Sequence, residues 1–117
     1  MDLLLLDEGH CLRDQALDIC REAGREDGAP VTTSAAGLST LVQLVAGGMG
    51  VTLLPRTALR VETARNDQLT TGYFADPAPS RRIALAMRSG AARQSEFEEF
   101  AAALREAMRG LPVRIVE

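Results

Sequence analysis

Positive charge is scarce in this 117-residue chain, which carries 13 basic against 16 acidic side chains for a formal net charge of -3. A protein that grips nucleic acid through its phosphates concentrates lysine and arginine on one surface, so any contact with DNA must be made by another part of the molecule. Long apolar runs are missing too. The longest aliphatic stretch, residues 3–6, is four leucines bounded by Asp2 and Asp7. That is far short of the roughly 20 residues of a membrane span, and it lacks the basic flank of a signal peptide. The chain therefore reads as cytoplasmic, without a membrane partner.

Cysteine and histidine are equally sparse: Cys11, Cys20 and His10 are the whole set. Two cysteines do not make a secreted disulfide scaffold, and a reducing compartment would hold them as thiols, so that a bond between them would be an event. Zinc wants four close ligands, which excludes a metal site built on these three residues, and no cofactor is expected. A cysteine hydrolase is poorly served as well. His10 is the sole available base, adjacent to Cys11 in sequence, and its ring need not face the sulfur. Internal repeats are absent, and the alanines at 101–103 are the nearest approach to low complexity.

What is present is enough apolar material, 46% of residues, for one modest core and a single domain or part of one. Short apolar runs alternate with helix-period segments, the βαβ pattern of a mostly parallel sheet with helices on its faces. The leucine run reads as a first, buried strand that should have neighbours on both sides, so a fragment of a larger fold is expected. A helix over about 11–23 follows, ended by Gly24. Residues 29–33 read as a second strand, with Ser34 capping a helix that carries Leu38, Leu41, Val42 and Val45 on one stripe and stops at Gly47 and Gly48. Residues 51–54 read as a third strand cut off by Pro55, with a short helix over 56–61 and a weaker strand candidate over 69–74. Residues 76–80 form a Pro-rich connector suited to a domain crossover. Ile83, Leu85 and Met87 alternate with their neighbours as in a strand, and the final helix, about 94–109, aligns Phe97, Phe100, Ala101, Leu104 and Met108.

The cysteines fall on the first helix. Cys11 lies at its N-terminus, where unpaired N–H groups, the helix dipole and Arg13 would favour a thiolate and His10 could donate a hydrogen bond, so Cys11 is the better nucleophile candidate. Cys20 lies nine residues on, on the opposite helical face, with roughly 13 Å of rise between the two. A disulfide needs Cα atoms within about 7 Å, so the thiols cannot join while the helix between them persists. From the residues alone, two buried small hydrophobes on a core helix and a redox pair stand even.

The segment Gly9-His10-Cys11-Leu12-Arg13-Asp14-Gln15-Ala16, followed by Cys20 and Glu22-Ala23-Gly24, closely resembles the redox segment of the peroxide-sensing LysR-type transcriptional activators. The stretch from Ala46 through Gly48, Gly50, Val51, Leu53 and Leu54 to Pro55 is similar to a motif common in LysR-type effector domains and says nothing about peroxide. The strand over 82–88 and the last helix resemble the closing elements of those domains. The resemblance implies a periplasmic-binding-protein-like α/β effector domain, here only its C-terminal part. Residues 1–77 would be most of the second subdomain, with the redox segment at 9–24. Residues 78–117 would be the return strand and closing helix of the first subdomain, and the DNA-binding domain is absent from this chain.

The resemblance further implies a regulator rather than an enzyme. Cys11 would be the peroxide-reacting cysteine and Cys20 the resolving one, supported by His10, Arg13, Asp14 and Arg81. Hydrogen peroxide would be the signal, a dithiol reductant of glutaredoxin or thioredoxin type would reset the pair, and a homo-oligomer, dimer or tetramer, would act on promoter DNA and RNA polymerase through the intact protein. Threonines that help bind peroxide in the family belong to the missing first half. The stripe on 38–45 is a candidate subunit interface, although helical spacing favours ordinary core packing. Two other readings stand beside this one: an effector domain that senses a small metabolite with passenger cysteines, and a thiol-dependent peroxidase in which Cys11 turns over.

Overall fold

Four consecutive leucines alternate sides along an extended chain and can all be covered only where a sheet has apolar layers on both faces. The computed structural model, which describes residues 2–24 and 33–116, places Leu3, Leu4, Leu5 and Leu6 in such a position, all buried, with Leu4 fully so. Strand β1 (Leu5–Leu6) pairs in parallel with β2 (Ser34–Ala35), Leu5 opposite Ser34 and Leu6 opposite Ala35. On the other side Leu3 bridges Val51, again in parallel. There the Leu4 N–H donates to the Val51 carbonyl at 2.8 Å and the Val51 N–H to the Asp2 carbonyl at 2.9 Å. The Thr52 hydroxyl adds a bond to the Leu4 carbonyl at 2.9 Å. The leucine run is thus the central line of a small parallel sheet, and the chain returns to it through helices, as parallel pairing requires.

The two faces carry separate clusters. Leu4 and Leu6 pack with Ala35 and Leu41, joined by Leu12, Leu38, Leu44 and Val45. Leu3 and Leu5 pack with Ala16, joined by Leu17, Cys20 and Leu53. Helix α1 (Cys11–Glu22) belongs mainly to the second cluster and helix α2 (Leu38–Ala46) to the first. Gly50 makes the approach of the Val51 segment possible. Its φ of +151° is open to glycine, and a Cβ there would stand 2.2 Å from the Asp2 carbonyl oxygen.

The chain divides into two compact units, one up to Pro79 and one from Ser80. The first holds the sheet, α1, α2 and α3 (Arg56–Thr63), which starts directly after Pro55. In the second, α4 (Gln94–Met108) is the regular element among the described residues, entered through an Arg93–Glu96 ion pair and a Gln94–Glu98 side-chain bond of 3.0 Å.

Several expectations change. Helix α1 ends at Glu22 with Gly24 in the left-handed region (φ 81°), close to the predicted stop. Ser34 does not cap α2: it is spent in strand β2, and Gly37 takes the N-cap without a side-chain bond. Residues 29–32 of the expected second strand lie outside the described residues. Of the stripe on α2, Leu41 and Val42 are core, both 2% exposed, while Leu38 and Val45 are half-buried. The third strand shrinks to the single bridge at Val51. Residues 69–74 and 82–88 form no strand. Alternation alone does not make a strand without a neighbour to take its backbone N–H and C=O groups, and Ile83, Leu85 and Met87 stand exposed.

Candidate functional site

The turn that leads out of the central strand delivers the cysteine segment. The Asp7 N–H donates to the Ala35 carbonyl at 2.9 Å, the His10 N–H reaches back to the Asp7 carbonyl at 3.4 Å, and Gly9 takes φ +92° between them. Helix α1 then opens at Cys11. His10 occupies the N-cap position in extended conformation without a side-chain capping bond, and Asp14 supplies a carboxylate in the first turn, where the helix dipole favours it.

Cys11 is exposed and Cys20 half-buried, both as free thiols. The helix between them is continuous from Cys11 to Glu22, so the two sulfurs are held apart by roughly 13 Å of helical rise. The stripe that turns inward is Leu12, Ala16 and Cys20, at i, i+4, i+8. Ala16 and Cys20 pack with Leu3 and Leu5, while Leu12 at the first turn reaches the cluster of Leu4, Leu6 and Leu41. The arrangement combines an accessible thiol at a helix N-terminus with a second thiol seated in apolar packing. It presents one sulfur to solvent and seats the other among apolar side chains.

Arg13 is placed differently from the sequence expectation. Its guanidinium donates to the Leu6 carbonyl at 2.8 Å in a half-buried setting, tying the first turn of α1 to the end of β1. Asp14 is exposed beside it. Arg81 is exposed and belongs to the second unit. The structure thus gathers His10, Cys11, Arg13 and Asp14 at one helix end and puts Cys20 two and a half turns along, with Arg81 in the other unit. Leu17 and Leu53 share the cluster that seats Cys20, and Leu12 packs in the other, packing roles that the residue spacing read above does not assign them. The i, i+4, i+8 spacing of Leu12, Ala16 and Cys20 was the available signal for Leu12.

Comparison with known proteins adds the following. The family model described as LysR substrate binding domain matches residues 1–109. A probable hydrogen peroxide-inducible genes activator of Streptomyces viridosporus is 78% identical over 116 residues, 99% of this chain and 37% of that protein. One of Mycobacterium leprae is 52% identical over 101 residues, 86% of this chain and 32% of that protein. The DNA-binding transcriptional dual regulator OxyR of Escherichia coli K12 is 42% identical over 108 residues, 92% of this chain and 34% of that protein. Among solved structures, the Corynebacterium glutamicum OxyR C206 mutant superposes with a TM-score of 0.78 at 41% identity, over 93% of this chain and 33% of that one. The chain spans about a third of the length of the relatives it matches.

Proposed function

The chain belongs to the LysR substrate-binding domain family, and on that premise we propose that it is the redox-sensing part of a peroxide-responsive transcriptional activator, switched by a disulfide between Cys11 and Cys20. The observation that carries this reading is the seating of the two thiols on one unbroken helix, Cys11 exposed at its first residue and Cys20 half-buried nine positions later. The relatives named as peroxide-inducible activators support the identity of the signal.

In the proposed mechanism the Cys11 thiolate attacks hydrogen peroxide and becomes a sulfenic acid. Cys20 captures it after α1 unwinds locally, expelling water, and a cellular dithiol returns the pair to thiols. His10 and Asp14 flank the reacting sulfur, and Arg13 holds the first turn on the Leu6 carbonyl. Arg81 is assigned a supporting role in the intact protein. Residues 1–77 would form most of one effector subdomain and 78–117 the returning part of another, a reading supported by the exposed Phe97, Phe100 and Leu104 on α4. Promoter DNA, RNA polymerase and homo-oligomer contacts would be made by the whole cytoplasmic regulator. It acts by changing shape, and Cys11 does not turn over as a peroxidase.

The test is thiol counting after one equivalent of hydrogen peroxide in wild type, Cys11→Ser and Cys20→Ser, read by mass spectrometry. Wild type loses two thiols to one intramolecular disulfide, Cys20→Ser accumulates an oxidised Cys11, and Cys11→Ser stays reduced. Two free thiols in treated wild type would overturn the reading.

A further inference from the structure

Helix α3 carries its charge against the electrostatics of its own backbone. Arg56 is its first residue, where the positive end of the helix dipole disfavours a cation. Arg60 follows one turn on, and like charges at i and i+4 repel. Residues 56–65 hold three arginines and a single carboxylate, Glu62. Glu62 accepts from the Ser39 hydroxyl at 3.0 Å, which turns it toward α2, and at 100° per residue it lies across the helix from Arg60. Arg56, Arg60 and Arg65 are all exposed, and the ion pairs among the described residues belong to other arginines, Arg21, Arg93 and Arg109. An acidic chain thus gathers positive charge on one short element and leaves it without a carboxylate partner. Local rules broken without an internal compensation mark a surface that serves something outside the fold.

Aromatic surface lies beside the arginines. The Arg56 guanidinium stands over the Tyr73 ring, 5.2 Å from its centroid, which holds the cation in place without neutralising it. Tyr73 is 66% exposed and the adjoining Phe74 54%. Arginine with exposed aromatic rings is the composition of protein–protein contact centres. A phosphate backbone is gripped instead by many cations spread along its track, which a chain of net charge -3 does not offer.

We propose that the Arg56–Arg60 face of α3, with Tyr73 beside it, docks a carboxylate-rich segment of another protein. Carboxylates on that segment take the two guanidinium forks in bidentate pairs and relieve the repulsion between Arg56 and Arg60. An apolar neighbour in the same segment covers the Tyr73 ring. Docking needs neither thiol, so it stands or falls apart from the disulfide.

The experiment is fluorescence anisotropy of a labelled glutamate-rich peptide with a central phenylalanine, titrated with the full-length protein beside the glutamine counterpart of that peptide. Wild type should bind the glutamate peptide roughly tenfold more tightly than the glutamine one at low ionic strength, and lose the preference as salt is raised. Arg56→Glu combined with Arg60→Glu should abolish the preference, whereas Arg21→Glu, a reversal of an exposed arginine on α1, should keep it. Tyr73→Ala should weaken both peptides alike. The double variant should unfold at a temperature no lower than wild type, since glutamate suits the first turn of a helix, so that lost binding is not lost folding. Equal affinity of wild type for the two peptides, or an undiminished preference in the double variant, would overturn the proposal. So would a smaller oligomer in the double variant, which gives the arginines to a second copy, or weaker binding to promoter DNA, which gives them to phosphate.

Discussion

Under the proposed switch, replacing Ala16 by glycine should shift the dithiol–disulfide equilibrium toward the disulfide, because residue 16 would be helical and buried only while the thiols are apart. Ala16 sits near the middle of α1, 6% exposed, against Leu3 and Leu5. Glycine in a helix interior costs about 1 kcal/mol relative to alanine, and loss of the buried methyl costs about 0.8 kcal/mol more. In the proposed disulfide form the segment between the cysteines would be unwound, so neither penalty would apply there. The dithiol state is therefore destabilised by about 1.8 kcal/mol relative to the disulfide, which lowers the reduction potential by about 40 mV at roughly 30 mV per 1.4 kcal/mol. The assay is equilibration of the pair against dithiol buffers of graded potential, with trapped thiols counted by mass. Ala102→Gly in α4, exposed and also helical, carries a similar propensity cost but should leave the potential unmoved. An unchanged potential in Ala16→Gly, or one shifted upward, would refute the claim that bond formation and the α1 helix exclude each other.

Gly50→Ala should destabilise the fold by about 2 to 3 kcal/mol in chemical denaturation, since its Cβ would meet the Asp2 carbonyl at 2.2 Å and the Leu3–Val51 bridge must open to admit it. Leu41→Ala empties a 2% exposed site shared by α2 and the sheet and should cost about 2 to 5 kcal/mol by the same measurement. Thr52→Val deletes the hydroxyl bond to the Leu4 carbonyl at nearly constant shape, with an expected loss of about 1 kcal/mol. Asp18→Ala breaks only the exposed Asp18–Arg21 pair on α1 and should change stability by less than about 0.5 kcal/mol in the same titration.

Local signals in this chain were legible wherever the local chain decides the outcome. The start of α1 at Cys11, its glycine-marked end, the stop of α2 at Gly47 and Gly48, and the entry to α3 after Pro55 all follow from capping and backbone preference. Strands were legible only where burial was total. The four leucines announced a central strand, but residues 69–74 and 82–88 have strand-like alternation and no partner among the described residues, because a ladder needs a second segment that periodicity cannot supply. Ser34 shows the same limit in small: a fair helix cap by type, it is drawn into pairing with Leu5 instead.

The sequence by itself determined that Cys11 and Cys20 fall nine residues apart on opposite faces of one helix, since helical pitch is fixed. It also determined the family, whose model matches residues 1–109. Only the tertiary structure decided that the Cys11 face meets solvent while the Cys20 face meets Leu3 and Leu5, that Arg13 donates to the Leu6 carbonyl, and that Leu12 packs against the other cluster, that of Leu4, Leu6, Ala35 and Leu41. The physical reason is that a helix face specifies a direction, while what lies in that direction is set by distant residues, here the leucine strand and α2, brought there by the sheet.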